Sequence, residues 1–308
     1  MRGIGKKVLI TGASGFVGKH LVSELLKEGF VIVGLDRTNS NDNGMLENAN
    51  YFFEKIDLTS ASLLKKVFVK YEIDLVIHLA AHISFIETLS EYKKLFRINV
   101  EGTKNLICQM INTNIKNLIF VSSMAVIGRP KYLPVDEKHP CEPINFYGLT
   151  KKQAEDTIIF FSKKNLLKGV IFRFPGIFSE KRFSGALYNF IRNSAKNEEL
   201  RIDLSREIIW DVIHVSDVVA SIVKGVYSID ALEGAEIFHV DYGEPIEIEE
   251  IAKRIIKMTE SGSKVVREGN SRSYPFYFDT YKARNTFNLD IPSFNKRLEQ
   301  FMSLITGQ

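Results

Sequence analysis

Tyr147 and Lys151 stand four residues apart in Tyr147-Gly148-Leu149-Thr150-Lys151. On a helix, positions i and i+4 share a face, so a phenol and an ammonium would be neighbours there. Such a pair can move a proton. An ordinary tyrosine, with a pKa near ~10, is a poor base at neutral pH. A nearby ammonium favours the phenolate, as would any second positive charge in the same crevice. Bringing the phenol to about pH 7 asks for roughly 4 kcal/mol of preferential stabilisation of the anion. Tyr-x-x-x-Lys occurs by chance on many surface helices, so the pair takes its meaning from its position. Ser122 and Ser123 end the apolar run Phe120-Val121. A serine at a strand's carboxyl end could hold a substrate oxygen against the phenol; turn polarity explains two hydroxyls there equally well.

A second constellation lies near the start. Val8-Leu9-Ile10-Thr11 runs into Gly12-Ala13-Ser14-Gly15-Phe16-Val17-Gly18 and then a helical pattern. Strand, glycine turn and helix come in the order a dinucleotide site demands. Gly12 permits the tight turn, Gly15 lets backbone approach a pyrophosphate, and Gly18 lets helix and strand pack closely. The spacing is G-x-x-G-x-x-G rather than G-x-G-x-x-G, and three glycines in a turn are weak evidence when taken alone. Asp36 closes the second apolar run. A carboxylate there accepts from ribose hydroxyls and repels a 2′-phosphate, which favours NAD over NADP. Arg37 beside it would tolerate a phosphate, and Asp36 also reads as the start of a turn.

The elements that must position these residues alternate. Strand-like runs fall at Lys7–Thr11, Val31–Leu35, Tyr51–Ile56, Asp74–Leu79, Leu118–Ser122 and Val170–Phe174, and helical stretches lie between them. Runs that are apolar throughout, separated by helices, predict a parallel sheet covered on both faces, the doubly wound α/β (Rossmann) arrangement, with ligands beyond the carboxyl ends of the strands. After Pro175-Gly176 the pattern becomes irregular. The expected organisation is a dinucleotide-binding domain over 1–174, with a return near 208–240, and a smaller substrate-binding lobe over 175–308.

With 308 residues, 45% hydrophobic and 25% charged, the chain can bury a sizeable core. Its +4 net charge is small and its lysines are scattered, so they read as solvated helix faces and not as a nucleic-acid footprint. Cys108 and Cys141 form no spaced pair, and His78, His82, His214 and His239 show no metal-ligand spacing; no metal is expected. The first residues lack the long apolar stretch of a signal peptide, and no run approaches the ~18 apolar residues of a membrane span, so a cytoplasmic location is expected. Phe160-Phe161 and the aromatic cluster Tyr274–Phe278 are expected in the core, and His214 is expected to pack or to cap a helix.

Together these segments resemble the extended short-chain dehydrogenase/reductases of the NAD-dependent epimerase/dehydratase group. The resemblance runs through Thr11–Gly18, Asp36, Asp57-Leu58, His78-Leu79-Ala80-Ala81, Asn99-Val100-Glu101-Gly102-Thr103, Ser122–Gly128, Pro143–Lys151, Trp210–Asp217 and Asp279–Ala283, in one order over nearly the whole chain. It implies Tyr147 as acid/base, Lys151 on the nicotinamide ribose and lowering the tyrosine pKa, and Ser123 orienting the substrate oxygen. It implies Gly12, Gly15, Phe16 and Val17, with Gly18, at the pyrophosphate, Asp36 at the adenine ribose, Asp57 and Leu58 at the adenine, and Leu79, Ala80 and Ala81 flanking ribose and pyrophosphate. Asn99, Ser122 and Phe174 complete the expected cofactor surroundings. The family commonly dimerises through the helices that fall here at Tyr92–Asn112 and Tyr147–Lys164, so a homodimer is expected.

The reaction is narrowed by Ser123-Met124-Ala125. Relatives that dehydrate or decarboxylate carry an extra acid or base there, and neither Met124 nor Ala125 exchanges a proton. Reversible hydride transfer at a hydroxyl-bearing carbon remains. The expected function is a nucleotide-sugar epimerase of the UDP-sugar 4-epimerase type. The alternatives are a nucleotide-sugar 4-ketoreductase, a dehydrogenase/reductase of a non-nucleotide carbonyl compound, or a non-catalytic NAD-binding regulator. Substrate contacts are expected from Ser84, Ser123, Gly176 and Arg267, with Arg201 and Arg206 as further candidate clamps for a diphosphate. Gly176 stands where relatives carry an asparagine, and Trp210 where an arginine is common. Trp210, Phe178 and Phe183 suggest the apolar carbonyl alternative.

Overall fold

The structure, a computed structural model, describes residues 5–38, 47–179, 186–203, 209–268 and 274–306. The chain divides into two compact units. The first comprises Met1–Gly128, Pro140–Arg173 and Val218–Phe238, and the second Arg129–His139, Phe174–Asp217 and His239–Gln308.

The first unit is built on seven strands: β1 (Lys7–Thr11), β2 (Val31–Asp36), β3 (Tyr51–Lys55), β4 (Leu75–His78), β5 (Asn117–Ser123), β6 (Lys168–Phe174) and β11 (Ala235–His239). Their spatial order is β11-β6-β5-β4-β1-β2-β3. β1 pairs in parallel with both β2 and β4, β2 with β3, and β4 with β5. The chain leaves β1 toward one edge and later passes to the other side at β4. The connections after β1 and β4 therefore diverge, and a crevice opens at that switch point. Helices α1 (Phe16–Lys27), α2 (Ala61–Lys70), α3 (Leu89–Leu95), α4 (Gly102–Asn112) and α5 (Phe146–Lys163) follow the strands. Between α3 and α4 the helix widens into a π-helical stretch, Phe96–Glu101.

The apolar runs form strands because burial on two faces rewards every residue. Leu9, Val33, Val76, Leu118 and Ile171 are sealed from water in one cluster with Leu106, Ile107 and Met110 of α4 and Ala154 and Ile158 of α5. Each such side chain contributes about 1.5–3 kcal/mol. Phe160 does not join this core: it points outward from α5, while Phe161 packs against the cluster.

In the second unit β7 (Gly176–Phe178) pairs in parallel with β10 (Val212–His214), and β8 (Leu200–Asp203) with β13 (Val265–Glu268). β9 (Ile209–Trp210) pairs antiparallel with β12 (Ile246–Glu247). α6 (Ala186–Ala195), α8 (Ile248–Met258), α9 (Tyr281–Phe287) and α10 (Phe294–Thr306) complete it, and α7 (Val215–Ser228) carries the chain back to the first unit. Phe178 packs edge-on against Phe301, at 5.2 Å between ring centroids, and against His214 and Phe294. Phe178 is thus core, which removes it from the apolar substrate lining expected of it. His214 accepts the Ser216 N–H at 3.2 Å through Nδ1 and caps α7, as anticipated. Among the described residues no helix is long and apolar enough to cross a membrane.

Candidate active site

The glycine turn after β1 is fixed by its neighbours. Gly12 has φ +74°, and a Cβ there would sit 2.8 Å from the Ala80 nitrogen. A Cβ on Gly18 would stand 2.1 Å from the Gly12 carbonyl oxygen. Any larger residue at either place would force backbone apart. Gly15 N-caps α1 without a side-chain bond, and the first turn of α1 holds no acidic residue. Its electrostatics therefore suit an anion. The Asp36 carboxylate accepts the Ser14 N–H at 3.1 Å and the Arg37 N–H at 2.7 Å, so it faces the turn from the end of β2. Asp57 accepts the Thr59 N–H at 2.9 Å, and Asn105 donates to the Leu58 carbonyl at 3.1 Å, holding the Asp57-Leu58 corner. Burial raises the Asp57 carboxyl, but bonds from Thr59 and the charges of Arg37 and Arg97 outweigh it and keep it below the usual range. A cradle a Cβ would fill, a helix N-terminus and a carboxylate at ribose distance in sequence fit a dinucleotide.

The reacting residues meet in the same unit. Asn145 caps α5 by accepting the Gly148 N–H at 2.7 Å, which starts the helix so that Tyr147 lies in its first turn. Gly148 is required because a Cβ there would lie 2.2 Å from the Ala125 carbonyl oxygen, in the short 3₁₀ turn Met124–Val126 after β5. Ser123 accepts the Ala125 N–H at 3.2 Å and hydrogen-bonds the Tyr147 phenol. The Lys151 ammonium, almost fully buried, donates to the Val121 carbonyl at 2.6 Å and lies 3.9 Å from the centroid of the Phe120 ring. The helix thus places both groups against one strand, as the four-residue spacing suggested.

Their electrostatics differ from the simple expectation. Burial pushes the Tyr147 phenol up to about 12, with only the Ser123 bond opposing it. Burial pulls Lys151 down to about 7, against the opposing charge of Glu155. Desolvation penalises both charged forms; only the Ser123 bond opposes it at the phenol, so the help expected from the Lys151 charge does not offset burial in the chain by itself. The phenol is protonated at neutral pH under the chain's own groups.

Behind the pair, buried hydrogen bonds fix the setting. Asn99, in the π-helical stretch, accepts the His82 N–H at 2.8 Å and donates to the His82 carbonyl at 3.0 Å and to Thr150 Oγ1 at 3.1 Å. Thr150 in turn donates to the Tyr147 carbonyl at 2.9 Å. Thr103 donates to the Asn99 carbonyl at 2.6 Å and therefore accepts from His78 Nε2 at 2.8 Å. His78 Nδ1 is left to accept the Thr11 hydroxyl at 2.6 Å. Burial, aided by the Lys151 charge, pulls His78 down to about 3, so it is neutral in one tautomer.

Of the residues singled out in the sequence, Tyr147 bonds Ser123 and Lys151 reaches Val121 of the same strand. Gly12 and Gly15 lie in the turn after β1, Phe16, Val17 and Gly18 open α1, Asp36 ends β2, Asp57 and Leu58 follow β3, Leu79, Ala80 and Ala81 follow β4, and Asn99 lies in the π-helical stretch. The Ser122 hydroxyl is buried and donates to Glu155 at 2.5 Å. Phe174 is fully buried at the end of β6. Ser84 hydrogen-bonds Glu91, which also holds His82. Gly176, exposed, opens β7 in the second unit. There Arg267 donates to Glu249, at 2.8 Å through Nε, and Arg201 bonds Glu199 and Glu268. Arg206, Phe183 and the side chain of Trp210 lie outside the described residues. Sequence reasoning missed Phe85, whose exposed ring meets Tyr147 edge-on at 5.8 Å, and Glu155, one turn beyond Lys151. A carboxylate at that i+4 spacing was the available signal for Glu155; nothing local marked Phe85.

A doubly wound sheet with a glycine cradle and a serine, tyrosine and lysine against its fifth strand defines a dinucleotide-dependent enzyme of hydride chemistry. Residues 8–240, well over half of the chain, match the NAD dependent epimerase/dehydratase family, and the chain belongs to that family. Over 168 residues it is 34% identical to the UDP-glucose 4-epimerase of Lactobacillus helveticus, covering 54% of this chain and 51% of that protein, so the match spans about half of that relative's length. The fold is shared with the UDP-glucose 4-epimerase of Thermotoga maritima solved with UDP-glucose, at a TM-score of 0.86 and 22% identity over 98% of this chain and 99% of that one. It is shared as well with the UDP-glucose 4-epimerase of Brucella ovis in complex with NAD, at 0.83 and 25% over 96% of each.

Proposed function

We propose that the protein is a nucleotide-sugar epimerase that inverts the hydroxyl-bearing C4 of a UDP-sugar with NAD. The observation that carries this reading is that Tyr147 is bonded to Ser123 while the adjoining turn offers Met124, Ala125 and Val126, none of which exchanges a proton, so the turn supplies no extra acid or base for elimination. Ser123 orients the substrate hydroxyl. Tyr147 accepts its proton as the carbon becomes a ketone, and returns a proton when the ketone is reduced from its other face. Bound NAD would supply the hydride acceptor and, once reduced, the hydride that returns to the ketone, and its oxidised form would add the positive charge that favours the phenolate Tyr147 needs to accept a proton. Gly12, Gly15, Phe16, Val17 and Gly18 would hold its pyrophosphate, Asp36 the adenine ribose, and Asp57 with Leu58 the adenine.

The test is turnover of UDP-glucose or UDP-galactose with catalytic NAD⁺. Interconversion without net NADH is the expected result. Tyr147→Phe should lower kcat by at least about a thousandfold while NAD still binds; equal activity of mutant and wild type overturns the assignment.

One observation favours a second reading. Arg201 and Arg267 are both engaged by carboxylates, so a diphosphate would have to displace Glu268 or Glu249 to be clamped by either. Under that reading the enzyme is a ketoreductase or a dehydrogenase of a non-nucleotide carbonyl compound, and stoichiometric change in NADH would reveal it. The homodimer expected from the family and the cytoplasmic location expected from the sequence also belong here. Phe160, exposed on α5, is an apolar residue that an α4–α5 interface would cover. Light scattering of wild type against Phe160→Glu tests it, with monomeric wild type as the contrary outcome.

A further inference from the structure

Glu155 is fully buried on α5, one turn past Lys151 and two past Tyr147. Its Oε1 accepts the Ser122 hydroxyl at 2.5 Å and Arg173 Nε at 2.9 Å, and its Oε2 accepts Arg173 Nη2 at 2.7 Å. Arg173, on β6, is sealed as completely. Three elements therefore converge on one carboxylate: α5, which carries the phenol and ammonium, β5, which carries Ser123 and the Val121 carbonyl, and the neighbouring β6.

Stability alone does not account for such a pair. Exchanging a buried ion pair for apolar residues of similar volume is often neutral or stabilising, whereas removing one partner leaves an uncompensated charge. The geometry offers another account. Ser122 sits between Val121 and Ser123, the two β5 positions that bind Lys151 and Tyr147. A carboxylate fixed to Ser122 sets both the rotation and the height of α5 on β5, and a shift of about 1 Å at a reacting centre can cost on the order of a hundredfold in rate.

We propose that Glu155 is a positioning residue for the reaction: held by Ser122 and Arg173, it fixes the setting of α5 on β5 on which the Tyr147–Ser123 and Lys151–Val121 contacts depend, and it supplies the negative charge that faces the Lys151 ammonium. Among the described residues, the groups around that ammonium are few. His78 faces it from β4 and is neutral, the Phe120 ring and the Val121 carbonyl face it from β5, and Tyr147 and Glu155 share its helix. Glu155 is the one whose charge opposes the effect of burial on Lys151.

The proposal rests on the active-site reading above, and the test separates the two. Glu155→Gln with Arg173→Gln removes both buried charges at once, so that neither is orphaned. Full-length protein labelled with ¹³C at lysine Cε, with the signal assigned through Lys151→Arg, reports the Lys151 titration without turnover. The expected result for the folded double variant is a midpoint about one pH unit lower and a kcat at least about tenfold lower with KM little changed. A folded variant with unchanged midpoint and unchanged kcat overturns the proposal. Should the double variant fail to fold, Ser122→Ala decides: kcat reduced severalfold at constant KM supports the positioning role, and wild-type kcat overturns it. Tyr147→Phe serves as the control. If it stays active, the active-site reading fails; if it is inactive while the Glu155 variants behave as wild type, only the positioning role fails.

Discussion

The Lys151 ammonium donates to the Val121 carbonyl at 2.6 Å, so the helix of the reacting tyrosine is fastened through its own lysine to the strand that ends in Ser123. A charge held there is costly, and the cost has a sign. Burial lowers Lys151 from its ordinary 10.5 to about 7. Between those values the unfolded chain binds the proton more tightly than the folded one. Stability is therefore full above 10.5 and declines as pH falls toward 7. Lys151→Met should raise the melting temperature at pH 7 by a few degrees, at about 2–4 °C per kcal/mol for a domain of this size, while kcat falls at least about a hundredfold. Calorimetry checks it, and a lower melting temperature contradicts it.

A second pH dependence belongs to the other unit. Asp211 and Asp241 are buried side by side and hydrogen-bonded to each other, with Asp211 Oδ2 lacking any partner. Burial first, then the neighbouring carboxyl, drives Asp211 well up. Burial lifts Asp241 to about 6, against bonds from Phe278 and Gly243 N–H and the charge of Arg284. These are acids with raised values, so their contribution is full below about 4; that of Asp241 is lost as pH climbs through 6, and that of Asp211 is lost as pH rises through its own raised value. The wild type should melt higher at pH 5.5 than at 7.5. In Asp211→Asn that difference should shrink, with a gain at pH 7.5. An identical pH slope in both proteins would exclude the shared-proton pair.

Gly148→Ala places a methyl group within 2.2 Å of the Ala125 oxygen. Overpacking of this kind costs about 1–3 kcal/mol, and here it pushes Tyr147 away from the turn that carries Ser123. Urea denaturation should show that loss, with kcat down at least about tenfold. Full activity would mean the turn gives way freely.

Asp36 aims its carboxylate at the glycine turn, accepting from Ser14 and Arg37. Wild type should bind NAD at least about tenfold more tightly than NADP, and Asp36→Asn should narrow the gap by weakening NAD and relieving the repulsion of a 2′-phosphate. Fluorescence titration of both cofactors measures the ratio; a wild type that prefers NADP removes Asp36 from the ribose.

Much of the first unit was legible because its signals are local. The apolar runs of β1, β2, β4 and β5, the three glycines and the Tyr147–Lys151 spacing each lie within a few residues of chain, where periodicity and steric need are readable. What stayed hidden depends on partners far apart. His78 needs Thr11 and Thr103, Glu155 needs Ser122 and Arg173, and Phe85 meets Tyr147 from 62 positions away. Tertiary packing also moved residues away from the places expected of them: Phe160 went to the surface, against its type, and Phe178 into the core rather than a substrate lining. The second unit was the least legible, since its strands run two to four residues and their pairings join distant segments. Arg267 illustrates the limit, for its spacing suggested an anion clamp while Glu249 holds its guanidinium.

The widened helical stretch at Phe96–Glu101 acts as a phase adjuster. Glu91 and Tyr92 on its near side address His82 and Phe146, Asn99 within it addresses Thr150, and Thr103 beyond it addresses His78. Winding the same residues as regular α-helix would swing everything upstream by about 100° against everything downstream. The reacting tyrosine and the neutral histidine could then no longer be braced by one continuous piece of chain, even with every side chain retained. The winding of this stretch constrains the enzyme as firmly as residue identity does.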